Sequence, residues 1–344
     1  MKKNLLVIKF GTAVLTNSQG DVNKAIIRKI AAETAQLSNQ YHIILVSSGA
    51  VSSGKHLLRQ YKGTLAERKA AAAIGNPILI SQYQRAFGKY GITVAQALCE
   101  RHHFSNRRQF LQMKETFETF WQNHVIPVVN ENDLVSNVEL KFSDNDELAT
   151  LLAIGFNAEK LIICTSSNGF RDTGGSIIPF VPVIDANILA CIQSEKTATG
   201  LGGMLSKITF TQLATSLGID VFITGLNGTH PLQKTLDWKK GTYFPAKPST
   251  LKERQKWLMS GSVTAGQILV DAGAEKALQQ RKSLLTIGIK KATGAFTAGE
   301  VVQLMNEANE IIGVAKVKLD CNEVNNQIQQ KNSIAAHAND IVLF

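Results

Sequence analysis

No apolar run in this chain approaches the ~20 residues that a membrane-spanning helix needs. The start, Met1-Lys2-Lys3-Asn4, leads into an apolar stretch too short for a signal-peptide core, and Gly11 interrupts it. The four cysteines, Cys99, Cys164, Cys191 and Cys321, are scattered and form no CxxC pair. Reduced thiols in a cytoplasmic protein are therefore the simplest expectation. Metal-ligand spacing is missing too: His102-His103 has no partnering cysteine or histidine, so no metal is expected and a surface role is the plainer reading. Without a G-x-S-x-G a serine hydrolase has little support. There is no internal repeat and no low-complexity segment.

What is there fits a soluble globular chain. Its 344 residues suit two domains, and 44% hydrophobic with 19% charged residues is ordinary for such a protein. The net charge of +10 favours phosphate-bearing ligands, either nucleotide or nucleic acid. Basic residues never run beyond pairs such as Arg107-Arg108 and Lys239-Lys240, so a lysine-rich solvated surface accounts for the charge equally well. RNA is the lesser reading.

Strand patterns at residues 5–9, 42–46, 92–98, 125–129, 160–165 and 219–224 alternate with helix patterns. The helices fall near 22–39, 64–89, 106–123, 145–155, 203–217 and 229–234. This alternation predicts an α/β domain, an open, mostly parallel sheet sandwiched by helices. Gly75 and Pro77 should kink or break the helix over 64–89. Pro245 and Pro248 then mark a change of pattern. Short strands at 267–270, 283–289, 300–305, 311–318 and 341–344, with one helix at 272–280, predict a small, mostly β second domain. The expected boundaries are 1–245, a linker over 246–262, and 263–344.

Four polar motifs stand at the carboxyl ends of predicted strands, where open α/β sheets bind ligands. In Lys9-Phe10-Gly11-Thr12, the lysine can neutralise a transferring phosphate and Gly11 admits a close backbone approach; a strand-ending lysine before a turn is the bland alternative. Ser47-Ser48-Gly49-Ala50 offers hydroxyls and N–H groups to an anion, or merely an N-cap. Asn130-Glu131-Asn132-Asp133 and Ser143-Asp144-Asn145-Asp146 form the densest polar cluster. Within it Asp133 can accept from an amine, and Asn130 and Asn145 can serve a small zwitterion. Asp144 can cap a helix, and Asp146 can orient two lysines. Gly200–Lys207 resembles a phosphate loop without the G-x-x-x-x-G-K-[ST] spacing, and Lys207 falls one turn into the next helix; a flexible loop with a surface lysine is as good a reading. Small residues, lysines and carboxylates gathered at one sheet edge suggest phosphoryl transfer.

In this order the motifs resemble the amino acid kinase family, and within it the branch that phosphorylates L-glutamate at the start of proline synthesis. The likeness runs from Ile8–Thr16 through Ser48-Gly49-Ala50 and Ile126–Asp133 to Asp144-Asn145-Asp146. It continues with Gly202-Gly203-Met204, Lys207 and Gly241-Thr242-Tyr243-Phe244. Asn130–Asp133 is the most specific part. Gly288-Ile289 and Phe296 followed by Gly299–Val302 resemble a PUA domain.

The resemblance implies transfer of the ATP γ-phosphoryl group to the glutamate side-chain carboxylate, with Mg²⁺ bound through the nucleotide. It implies Lys9, Lys207 and Asp146 as catalytic residues, and Ser48, Asp133, Asn145 and Asn130 around glutamate. Lys9, Gly11, Thr165, Ser166, Gly202, Gly203, Met204 and Lys207 would face the nucleotide. It further implies a cytoplasmic homo-oligomer, feedback inhibition by proline and association with glutamyl phosphate reductase.

The chain departs from the family on the nucleotide side. Ser166 stands for the usual Asp, no Asp-Pro follows, Leu201 replaces a Thr, and the stretch from Thr165 to Lys207 is several residues short. The glutamate side keeps the family pattern. An RNA-binding protein, or a glutamate or proline sensor with a degenerate kinase domain, is the alternative reading. Retention of Lys9, Lys207 and Asp146 weighs against the sensor.

Overall fold

The computed structural model describes residues 3–17, 19, 21–134, 144–194, 202–249, 251, 253–261, 266–328 and 332–343. The chain begins with β1 (Asn4–Phe10), α1 (Thr12–Leu15), α2 (Lys24–Leu37), β2 (Tyr41–Ser47), α3 (Ala50–Gly54) and α4 (Leu65–Gly88). It continues with β3 (Thr93–Cys99), α5 (His102–Ser105), α6 (Arg107–Gln122), β4 (Val125–Glu131), α7 (Asn145–Gly155) and β5 (Lys160–Cys164). Next come α8 (Ala186–Ser194), α9 (Gly202–Ser216), β6 (Asp220–Thr224), α10 (Pro231–Leu236), β7 (Thr242–Phe244) and α11 (Glu253–Gly261). The C-terminal part holds β8 (Gly266–Val270), α12 (Ala272–Gln279), β9 (Leu284–Leu285), β10 (Ile289–Gly294) and β11 (Val301–Met305). It ends with β12 (Ile311–Lys316), α13 (Cys321–Gln327), β13 (Ile334–Ala336) and β14 (Ile341–Leu343).

The first seven strands form one sheet in the order β3-β4-β2-β1-β5-β6-β7. Every pair in it is parallel except the β6–β7 edge. Alternate residues of β1 serve two cores. Leu6, Ile8 and Phe10 pack with Ile27 and Ile30 of α2 and with Leu79, Tyr83 and Phe87 of α4. Leu5 and Val7 join Phe110 and Phe117 of α6 and Leu148, Leu151 and Leu152 of α7 on the other face. Burial on both faces is why these strands read as continuous apolar runs. The chain leaves β1 towards β2 on one side and later returns to β5 on the other, so the order reverses at β1. A crevice opens at such a switch point, beyond the carboxyl ends of the strands.

The expected break in α4 does not occur: Leu65–Gly88 is one helix with Pro77 inside it. Pro77 and Ala73, whose carbonyl loses its i+4 donor, both lie on the exposed face, where water can take that bond. Gly75 has a different task. A Cβ there would lie 1.8 Å from the Ala50 carbonyl oxygen, and one on Gly54 would lie 2.0 Å from that of Ala71. Helices α3 and α4 therefore touch backbone to backbone. Gly75→Ala should destabilise the protein by about 1–3 kcal/mol through overpacking, measurable by urea unfolding. An unchanged midpoint would show that α3 can shift without cost.

The second sheet has the order β10-β8-β11-β12-β14, beside a β13-β9 pair, around a core that includes Ile268, Leu304 and Ala335. Two details differ from expectation. Instead of one strand over 283–289, a 3-10 turn at Thr286–Gly288 separates β9 from β10. The chain turns there against α12, where a Cβ on Gly288 would meet that of Ala274 at 2.6 Å. The stretch expected as a linker carries α11. Trp257 and Leu258 of this helix are buried, and it packs on α5 and α7 on one side and on β11, β12 and β14 on the other.

Candidate active site

At the switch point, β1 delivers Lys9, which is 5% exposed. Helix α7 starts beside it because Asp144 caps it: Oδ1 accepts from the N–H groups of Asp146 at 2.9 Å and Glu147 at 3.1 Å. The other Asp144 oxygen accepts from Ser206 Oγ at 2.7 Å, which docks α9 on α7 and brings in Lys207. Lys9 Nζ lies 2.5 Å from Asp146 Oδ1, and Lys207 Nζ lies 2.9 Å from Oδ2. Each carboxylate oxygen thus holds one ammonium. Burial alone would raise the Asp146 carboxyl, but the charges of Lys9 and then Lys207 outweigh it and hold it below the ordinary range. The triplet keeps one surplus positive charge. Gly11 is forced neither by backbone strain nor by space: a Cβ there would make ordinary contact with Lys9 Nζ at 3.5 Å.

Next to this clamp is a chain of amides. Asn145 Nδ2 donates to Ser48 Oγ at 2.9 Å and to Asn130 Oδ1 at 3.0 Å. Asn130 Nδ2 donates in turn to Asn76 Oδ1 at 3.3 Å. Ser48 is presented by a turn that only glycine suits, since Gly49 has φ +102°. Ser48, Asn130, Asp133 and Asn145 line a cavity of about 390 Å³, within the usual size of a small-molecule site. The four residues expected around the acceptor thus meet in one cavity, although they come from the turn after β2, from the end of β4 and just beyond it, and from α7.

Several neighbours were not legible beforehand. Asn76 on α4 lies in no motif, and nothing in the Gly200–Lys207 run marks Ser206 from its neighbours. The Asn-Glu-Asn-Asp run mostly faces the cavity: Asn130, Glu131 and Asp133 line it, while Asn132 is held from behind. Asn132 Nδ2 donates to Glu100 Oε1 at 2.8 Å, and its N–H donates to Cys99 O at 2.9 Å. Arg101 Nη2 lies 2.5 Å from each Glu147 oxygen. Desolvation pushes the Arg101 guanidinium down from its ordinary value, while the charges of Glu147 and Glu131 push it back up. The His pair is part of the same support: the Glu100 N–H donates to His103 Nδ1 at 2.9 Å. That Arg101 follows a predicted strand end was the only sequence signal.

Among the residues expected to face a nucleotide, the Thr165 N–H donates to Thr224 O at 2.7 Å, tying β5 to β6. Ser166 and Gly203 are exposed, and Met204 is partly buried against the core. Gly202 opens α9. Gly200, Leu201 and Ser143 lie outside the described residues. Three lysines gather beyond β6. Lys29 donates to Leu226 O at 2.6 Å, Lys234 to Thr229 Oγ1 at 3.1 Å, and Lys240 to Asn227 O.

Residues 4–225 match the model of the amino acid kinase family, and residues 266–337 match that of the PUA domain. Glutamate 5-kinase of Haemophilus influenzae (strain PittEE) is 35% identical over 326 residues, covering 91% of this chain and 88% of that protein. Glutamate 5-kinase 1 of Bacillus subtilis (strain 168) is 35% identical over 336 residues, covering 94% and 92%. Among solved structures, carbamate kinase from Giardia lamblia bound to AMP-PNP superposes with a TM-score of 0.54 at 17% identity. It covers 71% of this chain and 99% of that one, a likeness of fold. With the switch-point site and both domain matches in agreement, the chain belongs to the amino acid kinase family, in its glutamate 5-kinase branch, and carries a C-terminal PUA domain.

Proposed function

We propose that this protein transfers the γ-phosphoryl group of ATP to the side-chain carboxylate of L-glutamate, yielding γ-glutamyl phosphate and ADP for proline synthesis. The observation that carries this reading is the Lys9–Asp146–Lys207 clamp beside a cavity lined by Ser48, Asn130, Asp133 and Asn145. A carboxylate is ionised at neutral pH, so it attacks phosphorus without a general base. One P–O bond forms to the carboxylate oxygen, the bond to the β-phosphate oxygen breaks, and no proton moves. What the protein must supply is placement and neutralisation of oxygen charge.

In this reading Lys9 and Lys207 balance charge on the transferring group, and Asp146 holds both ammonium groups in place. Asp133 receives the substrate ammonium, and the Asn130–Asn145–Ser48 chain fixes the acceptor. Among the described residues no group of three or more His, Cys, Asp or Glu side chains suits a metal ion. Mg²⁺ held through the nucleotide would supply further positive charge beside Lys9 and Lys207. Thr165, Ser166 and the start of α9 border the nucleotide.

The net charge separates this reading from RNA binding. Residues 263–344 contain eight basic and eight acidic residues, so the whole surplus lies N-terminal to the PUA domain. Among the described residues no helix is long and apolar enough to cross a membrane. A cytoplasmic homo-oligomer, inhibited by proline and delivering its labile product to a glutamyl phosphate reductase, completes the proposal.

The test is glutamate-dependent ADP release with ATP and Mg²⁺, trapping the acyl phosphate as a hydroxamate. Hydroxamate that requires both glutamate and ATP is the expected result. Folded protein giving none with any nucleotide would overturn the proposal and favour a sensor.

A further inference from the structure

Among the described residues that line the acceptor cavity, Glu131, Asp133 and Asp144 are acidic and Arg68 alone is basic. Arg68 stands in the first turn of α4, where its N–H donates to Thr64 O at 2.9 Å. A capping box between Thr64 and Glu67 fixes that turn, and with it the side of the helix from which Arg68 leaves. Asp144 is occupied as the α7 cap and by Ser206, and the Glu131 charge acts on Arg101. Among the described residues no carboxylate pairs with Arg68, in a cavity where acids outnumber it three to one.

The substrate class proposed above brings two carboxylates and one ammonium, and this inference rests on that reading. Its side-chain carboxylate belongs at the Lys9–Lys207 end, and Asp133 suits its ammonium. The α-carboxylate is then left among acidic residues, where like charge disfavours it unless a cation is at hand. A guanidinium fork matches a carboxylate with two parallel hydrogen bonds. We propose that Arg68 grips the α-carboxylate of the acceptor and so selects α-amino dicarboxylic acids over analogues without that charge. An exposed arginine solvated on a helix face would have no such effect, and kinetics separate the two.

Arg68→Gln places a good helix former at an exposed position, so folding is not at stake. Wild type, Arg68→Gln and Arg68→Lys are compared by hydroxamate formation, with the α-amide of glutamate as a second acceptor or competitor. A charge-assisted pair in an open cavity should be worth roughly ten-fold in affinity. The KM for glutamate should rise by that factor in Arg68→Gln, with kcat and the KM for ATP within about two-fold of wild type. Arg68→Lys should recover part of the loss. Discrimination between glutamate and its α-amide should shrink by the same factor. A glutamate KM within two-fold of wild type overturns the proposal, as does equal weakening of acid and amide. An inactive wild type would instead remove the proposed substrate, and this inference with it.

Discussion

Lys9→Ala is expected to lower kcat by roughly 10³-fold, about 4 kcal/mol of transition-state stabilisation. Phosphoryl transfer to an ionised carboxylate offers no proton transfer for catalysis to exploit, so the positive charges carry most of the work. Lys9 is one of two ammonium groups on Asp146 and is nearly buried, so solvent screens it little. The amide chain from Ser48 to Asn76 does not involve Lys9, and the KM for glutamate should stay within a few-fold. A kcat loss below ten-fold in the hydroxamate assay would remove Lys9 from the reaction. The cluster also has a pH signature. The folded-state carboxyl of Asp146 lies below its unfolded value of 3.8. Its contribution to stability is therefore complete above that value and disappears as pH falls through the lower folded one. At neutral pH Asp146 stays ionised.

Arg101→Ala should cost about 3–5 kcal/mol of stability. Its guanidinium meets both oxygens of Glu147, whose side chain is fully buried, and Glu131 is buried nearby. Removing the cation takes a facing positive charge away from two buried carboxylates. Restoring neutrality should help: Arg101→Ala combined with Glu147→Leu should recover much of the loss, because an apolar pair can replace a buried ion pair at little cost. Urea unfolding of both variants checks this. A single variant within about 1 kcal/mol of wild type would show that water reaches Glu147. Asn145 and Asp146 precede Glu147 directly, so the single variant should also lose activity before it unfolds.

The sheet was legible because its central strands are buried on both faces, so apolar runs such as 43–46 and 161–164 mark them without ambiguity. The clamp was legible because Lys9 and Asp146 sit at element ends and Lys207 one turn into α9. The support behind it was not. Asn76, Glu100, Arg101 and Ser206 act through partners between 32 and 62 residues away in sequence, and no local spacing encodes such pairs. Helix α4 misled for a related reason. Pro77 costs a helix little when its freed carbonyl faces water, and Gly75 records the approach of α3 rather than a break. The stretch over 246–262 read as a linker because its prolines and charges are local facts, whereas the burial of Trp257 depends on what lies to either side.

That buried tryptophan also sets an order of events during synthesis. Trp257 carries the Arg107 guanidinium 4.7 Å from its ring centroid and shares a core with Phe110 and Phe117, all made some 140 to 150 residues earlier. Val301, Val314 and Val342 close the same core from the far end of the chain. A nascent chain that has just finished β7 still shows a wet apolar floor beneath α5 and α6. It can cover that floor only once α11 has left the ribosome, and seal it only when the last strand arrives. Such a chain is exposed to wrong partners until β14 emerges. The C-terminal domain, whatever else it binds, serves as the lid that ends that exposure.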